Sequence, residues 1–280
     1  MPDLFSLIQK WWKQCLLTVF LSFAIVAAIL FLQPNQYLSV TTALPANPSA
    51  ADKASVFNTS VQELYTALGT PDDLDKIIGT SKLDTIYLAV TDQFNLQDHY
   101  PLKEKGEAAR TKAASLLKKQ TKVMKTEYGE LQINVWDTDK NLAPQLANAL
   151  LEKLSAIHQD VQNKNNQLLV SSLQKGQQKI YIGIDSINSL LQRAGSTTTT
   201  QAFIIRKNSL LEQAQQYEKL IGEYQLMADN KPAVLAIVEK ARVSAWPDKP
   251  RRALILTATT FLSFLFAIGL ALVFEKRKTA

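Results

Sequence analysis

Cysteine is all but missing from this chain, with Cys15 alone among 280 residues. That excludes a disulfide framework and a cysteine-rich zinc site. Histidine is nearly as scarce, and His99 and His158 read as ordinary surface or packing residues. Glycine never gathers into a phosphate cradle, since neither GxxxxGK[ST] nor GxGxxG occurs. Carboxylates are scattered, and no serine sits in a nucleophile-elbow pattern. No catalytic residue, metal ligand or cofactor is therefore expected.

Charge is absent from only two long stretches. Cys15 to Leu32 runs 18 residues and Ala253 to Phe274 runs 22. As helices rising about 1.5 Å per residue, each can cross roughly 30 Å of hydrocarbon. No third such run exists, so the intervening segment is expected on one side of a membrane. The first run exceeds a signal-peptide core and ends in Leu32, Gln33 and Pro34, without a small-residue cleavage site, so a retained anchor is expected. Trp11 and Trp12 precede it, where indoles favour the headgroup layer. Cys15 opens the same run and reads as a small apolar packing residue, with lipidation or reactivity as alternatives.

Charge then sets the orientation. In the tails, Lys10, Lys13, Lys276, Arg277 and Lys278 stand against Asp3 and Glu275. The middle holds 26 basic and 23 acidic residues, close to balance. The positive-inside rule therefore puts both tails (1–14 and 275–280) in the cytoplasm and 33–252 outside. Arg251 and Arg252 oppose this, but long domains cross largely regardless of charge.

Within 33–252 the pattern alternates between strand and helix. Tyr37 to Leu44 reads as a strand with Leu38, Val40, Thr42 and Leu44 on one face, ended by Pro45 and Pro48. Ser49 to Leu68 has helical spacing and stops at Gly69. A short helix follows, opened by Thr70 and Pro71 and closed at Gly79. Ser81 to Val90 reads as helix, though its apolar run would also suit a strand. Glu107 to Lys125 reads as one helix whose lysines (112, 118, 119, 122 and 125) form a solvated face. Contact with phosphate or an acidic glycan is the alternative, and with no aromatic residues interleaved for stacking nucleic acid is not an expected partner. Leu131, Ile133 and Val135 alternate with polar residues as a second strand. Asp137, Thr138, Asp139 and Asn141 then read as the cap of the next helix rather than as metal ligands.

From Leu142 the spacing is helical for about fifty residues, with Leu169, Leu173, Gly176, Ile180, Ile184, Ile187 and Leu191 at steps of three and four. Gly195, Ser196 and four threonines read as a turn. Phe203, Lys207, Leu210, Ala214, Tyr217, Ile221, Tyr224 and Ala228 then continue the spacing, giving an antiparallel helical hairpin over about 142–230. Gly176 and Gly183 lie a heptad apart and read as packing positions, with a hinge as the alternative. Pro232 ends the hairpin, and Val234 to Val243 suits a third strand with one wet face. Trp246, Pro247, Asp248, Lys249 and Pro250 read as a stiff lead-in to the second apolar run, followed by Arg251 and Arg252. The first and last strands each adjoin an apolar run and are expected to pair.

This order of parts resembles the Wzz-type chain-length determinants, also called polysaccharide co-polymerases. Locally, VTDQFNLQDHY (Val90 to Tyr100) is similar to a family segment in which an apolar helix runs into a leucine and a tyrosine. LQINVWDTDKNLAPQLANALLEKL (Leu131 to Leu154) resembles the family's strand, Asp-rich cap and A-x-x-x-A-N helix. ARVSAWPDKPRRALIL (Ala241 to Leu256) resembles its proline-rich lead-in. The hairpin is modest for the family, and the lead-in carries fewer prolines than many relatives.

The resemblance implies an α+β membrane protein: two transmembrane helices, a small mixed sheet at the base of a periplasmic domain, and the hairpin. It further implies a non-catalytic, homo-oligomeric scaffold in the bacterial inner membrane that regulates the length of an O-antigen, capsule or exopolysaccharide. Its implied partners are membrane lipid, a separate polymerase and the nascent glycan. The alternative is a periplasmic adaptor between an inner-membrane exporter and an outer-membrane channel. A sensor is disfavoured, because six residues after the second span leave no room for an output domain.

Overall fold

The computed structural model describes residues 4–46, 71–193 and 197–279. The helix expected over Ser49 to Leu68, with Gly69, Thr70, Pro48, Gly195 and Ser196, lies outside the described residues. The described elements are α1 (Leu4–Leu32), β1 (Tyr37–Pro45), α2 (Pro71–Ser81), α3 (Asp84–Phe94), α4 (Leu96–His99), α5 (Glu107–Lys119), β2 (Thr121–Lys125), β3 (Leu131–Asp137), α6 (Leu142–Arg193), α7 (Thr197–Asn230), β4 (Leu235–Glu239) and α8 (Arg252–Thr279). The strands form one sheet in the order β2-β3-β1-β4. Two compact units result, one of Met1–Val40, Asn134–Ala147 and Ala241–Ala280, the other of Thr41–Ile133 and Asn148–Lys240.

In the first unit α1 and α8 pack along each other. The contact is built from small residues, with Cys15 closed against Ala267 and Ala271 and Trp11 alongside. The Cys15 thiol faces the Ala267 carbonyl at 3.8 Å. Trp11–Leu32 and Arg252–Val273 are long and apolar enough to cross a membrane, and only 11% of the apolar window in each is buried. That exposure separates them from the core helix of a globular protein. The helices outrun the uncharged stretches, and α1 breaks its helical geometry at Trp11.

In the second unit α3 packs on α5, α4 joins α5, and α2 lies by β2. Leu74 and Ile77 of α2, Ile86 and Val90 of α3, Leu96 of α4 and Leu117 of α5 are all fully buried. Asn95 takes the left-handed conformation (φ 49°) that turns α3 into α4, which suits asparagine better than most residues. Burying Tyr87 pushes its phenol up to about 12, with Asp84 nearby adding to the shift. Outside the core, Arg110 Nε and Nη2 grip both oxygens of Asp92 at 2.6 and 2.7 Å, clamping α5 to α3.

Several expectations need correcting. Glu107 to Lys125 is not one helix. Gln120 leaves helical geometry, and Thr121 to Lys125 turns back as β2 beside β3 through a Thr126–Glu130 turn with Gly129 at φ 75°. β-Branched Thr121 and Val123 suit the strand. The lysines stay solvated but divide between α5 and β2, and three have carboxylate neighbours: Lys118 bonds Asp84 at 2.7 Å, Lys112 bonds Glu104, and Lys125 lies 3.9 Å from Asp75. Ser81 to Val90 is helical only from Asp84, and the preceding helix runs past Gly79 to Ser81.

In β1 the face opposite Leu38, Val40, Thr42 and Leu44 is the covered one. Ser39, Thr41 and Ala43 are buried, while Leu44 is exposed and Leu38, Val40 and Thr42 are half-buried. The buried hydroxyls are satisfied, Thr41 Oγ1 donating to the Glu239 carbonyl and Ser39 Oγ to the Arg242 carbonyl, each at 2.9 Å. β1 and β4 pair antiparallel as expected, with a bulge between Thr42 and Ala43. β4 ends at Glu239, short of Val243, where the Ser39 bond takes over from backbone pairing. Only Leu235 of β4 is buried, so this edge strand is wet on both faces.

The hairpin arms are 52 and 34 residues long. Val170 rather than Leu169 enters the seam, and Thr197 to Thr200 open α7 instead of forming a turn. Hydroxyl residues suit a helix's first turn, whose backbone N–H groups lack carbonyl partners. At the foot, Lys231 reverses the chain at φ 42°, and Gln159 Nε2 donates to its carbonyl.

Candidate functional site

The segment leading into α8 is built from the backbone outward. Gln36, just past α1, donates its N–H to the Lys249 carbonyl at 2.9 Å. Its own carbonyl accepts from the N–H groups of Asp248 at 2.9 Å and Lys249 at 3.3 Å. This short antiparallel bridge ties the exit of α1 to the start of α8. Proline shapes the approach because Pro247 and Pro250 have restricted φ and no N–H to compete for those carbonyls. The Lys249–Pro250 peptide is cis.

Side chains lock the bridge. Trp136, on the half-wet face of β3, donates its indole N–H to Asp248 Oδ2 at 2.8 Å. Lys249 places its ammonium 3.7 Å above the same ring, and Arg251 donates to Asp248 Oδ1 at 3.2 Å. The Trp136 hydrogen bond, helped by Arg251, holds the Asp248 carboxyl below the usual carboxylate range. Arg252 reaches back to Asn35 Oδ1 at 3.0 Å and lies 5.1 Å from the Phe31 ring. Trp246 instead points out, 82% exposed, and its carbonyl accepts from Ser244 Oγ.

Of the residues singled out from sequence, Arg251 and Arg252 join this cluster, Pro247 and Pro250 frame it, and Trp246 stands outside. Periodicity passed over Asn35, Gln36 and Trp136, and it read Asp248 only as part of a stiff lead-in. The one available signal was an indole among the polar positions of β3. Its hydrogen bonds and cation–π contacts hold the segment leading into α8 against β3 and the exit of α1.

Gly176 and Gly183 lie in the hairpin and differ. A Cβ on Gly176 would fall 2.5 Å from Tyr217 Cε1, so the bare backbone seats that ring. A Cβ on Gly183 would meet Leu210 Cδ1 at 3.4 Å, an ordinary contact. At the start of α6, Asp137 Oδ1 accepts from the Asp139 N–H and Asp139 Oδ1 from the Asn141 N–H, each at 2.8 Å. These carboxylates act as turn acceptors. Among the described residues no three His, Cys, Asp or Glu side chains group as metal ligands. A groove of about 540 Å³ lies between α6 and β4, with Asn148, Ser155 and Gln159 facing Leu235 and Ile237.

No protein-family model matches the chain, and no curated protein matches it. Among solved structures it is similar to a full-length bacterial polysaccharide co-polymerase, at 12% identity and a TM-score of 0.44, covering 100% of this chain and 98% of that one. It is also similar to a fragment of WzzB, a polysaccharide co-polymerase from Salmonella Typhimurium, at 14% identity and a TM-score of 0.38. That match covers 77% of this chain and all of the fragment.

Proposed function

We propose that this chain is a two-pass inner-membrane scaffold, periplasmic over 33–252 with both termini cytoplasmic, that regulates the length of a surface polysaccharide made by a separate polymerase. One observation carries the reading. The two apolar helices pack together and are pinned at one end by the Gln36–Lys249 bridge, while the chain between them folds around a sheet and a long hairpin. Such a molecule offers surfaces and a fixed joint, with no reaction centre in evidence among its described residues. The local resemblances around Val90–Tyr100, Leu131–Leu154 and Ala241–Leu256 support placing it in polysaccharide assembly.

In this reading the chain works as a homo-oligomer. Confinement in one membrane raises the effective concentration of protomers and strengthens weak lateral contacts. The Trp136–Asp248–Lys249 joint holds the two spans in one arrangement, so that neighbouring protomers present the same face to the polymerase. Deleting the gene and sizing the surface polysaccharide tests this. The expected result is that polymer is still made but its preferred length is lost. Unchanged lengths would overturn the reading, and polymer trapped inside the cell would favour the exporter adaptor.

A further inference from the structure

The joint ties Asp248, Lys249 and Arg252 to its own residues but leaves Trp246 in the open. The Trp246 side chain is 82% exposed, and Val243, three residues before it, is 53% exposed. Tryptophan is seldom left so bare in water, since its ring buries about 150–250 Å² where it packs. The bridge fixes how far from the spans this indole stands. Asp248 and Lys249 are hydrogen-bonded to Gln36, just past the end of α1, and Lys249 is three residues before α8. At up to about 3.6 Å per residue, Lys249 is held within about 11 Å of the first residue of α8. The polar layer of a bilayer is about 5–8 Å thick on each side of the hydrocarbon. The bridge therefore stands at the headgroups or just above them, two residues from Asp248 to the long ring of Trp246.

The charges beside it match the same layer. Lys249, Arg251 and Arg252 stand against Asp248 alone in this short segment. The Lys249 ammonium is engaged by the Trp136 ring and Arg252 by Asn35. Arg251 differs, with a side chain 68% exposed and one ion pair to Asp248 at 3.2 Å. That pair uses a single donor of a guanidinium that carries five. Arg251 also runs against the positive-inside pattern, and lipid phosphate gives it a planar, two-oxygen partner. Indole suits the layer for its own reason, being apolar across its ring and polar at its N–H.

We infer that Trp246 and Arg251 form a lipid-binding edge on the joint, the indole seated among phospholipid headgroups and the guanidinium on their phosphates. The contact lies at the end of the spans where α1 leaves and α8 begins. It is continuous with the lipid-facing surface of those helices, which is what argues for lipid over a protein partner. The inference rests on reading α1 and α8 as spans, and it adds a point of attachment outside them. With the bridge fixing the path of the chain, that attachment holds the joint against the membrane surface and limits its tilt.

Fluorescence quenching of the full-length chain in vesicles tests it. With Trp11→Phe and Trp12→Phe the chain keeps Trp136 and Trp246, and adding Trp246→Phe leaves Trp136 alone. The difference between the two is the emission of Trp246. The vesicles are phosphatidylethanolamine and phosphatidylglycerol doped with brominated phosphatidylcholine. The Trp246 emission is expected to be lost to bromine placed high on the acyl chains, little affected by bromine near their ends, and shielded from acrylamide in the water. Arg251→Lys should keep this pattern. Arg251→Glu sets a carboxylate against phosphate and should shift the quenching from bromine to acrylamide. Emission open to acrylamide and untouched by bromine, in a chain that stays with the vesicles through an alkaline wash, would overturn the contact and leave Trp246 to a protein partner. An unchanged pattern in Arg251→Glu would overturn the phosphate contact. A chain that washes off the vesicles would overturn the spans themselves, and the inference with them.

Discussion

The hairpin and the joint beside the apolar helices are held by opposite means. Along α6 and α7 the seam is apolar, with Val170, Ile184, Ile187 and Ala214 buried at successive levels and one glycine making room for a tyrosine. At the joint, Trp136, Asp248, Lys249, Arg251 and Arg252 are tied by hydrogen bonds and cation–π contacts around a bridged backbone. The seam keeps its register by shape, since only the bare backbone at Gly176 leaves room for the Tyr217 ring. The joint keeps its arrangement by directed bonds, since each donor has one acceptor at one distance. The difference suits a hairpin whose two arms are held by shape and a joint that holds α1 and α8 in one arrangement.

The strongest break in this comparison should come at the joint. Trp136→Phe keeps a ring under Lys249 but removes the donor to Asp248, and losing a hydrogen bond to a charged group costs about 1.5–3 kcal/mol. Thermal unfolding in detergent should show it, while Trp246→Phe, at a side chain 82% exposed, should not. Acid should act through the same bond. The Asp248 pKa is lowered in the folded chain, so its contribution is full above the unfolded value near 3.9 and is lost as pH falls through the folded value. Wild type should therefore lose stability in acid below about pH 4. Trp136→Phe should show less of that loss, because the main cause of the shift is gone.

The hairpin should answer with smaller changes of both signs. Gly176→Ala drives a methyl into the Tyr217 ring, and overpacking of about 1–3 kcal/mol outweighs a gain of up to about 1 kcal/mol in helix propensity. Combining it with Tyr217→Leu should remove most of the penalty. Gly183→Ala meets only an ordinary contact and should be neutral or stabilising by about 0.5–1 kcal/mol. Equal destabilisation at both glycines would mean that the arms meet in a different register.

These two regions also differ in how far the sequence revealed them. The seam was legible because burial on a helix follows its period, and only the Leu169–Val170 choice shifted. Pairing of β1 with β4 followed from their places next to the apolar runs. The covered face of β1 was not legible, because alternation shows that a strand has two faces and not which one is covered. Ser39 and Thr41 took the inside once carbonyls of the final segment stood ready for their hydroxyls. Strand β2 was hidden by lysines that read as helix. The joint depends on residues more than a hundred positions apart, as Trp136 and Asp248 are, and no local period records such a meeting.

The measurement that bears most directly on the scaffold reading is the amount and size distribution of surface polysaccharide in a deletion strain carrying either the intact chain or Pro247→Ala with Pro250→Ala. The double substitution frees φ at the joint while leaving Trp136 and Asp248 in place. At equal protein levels, the intact chain should restore one preferred length. The double variant should give the same total polymer with that preference broadened or lost. Total polymer falling with its length distribution intact would contradict the scaffold reading, because the chain would then govern how much is made or exported rather than how long it grows.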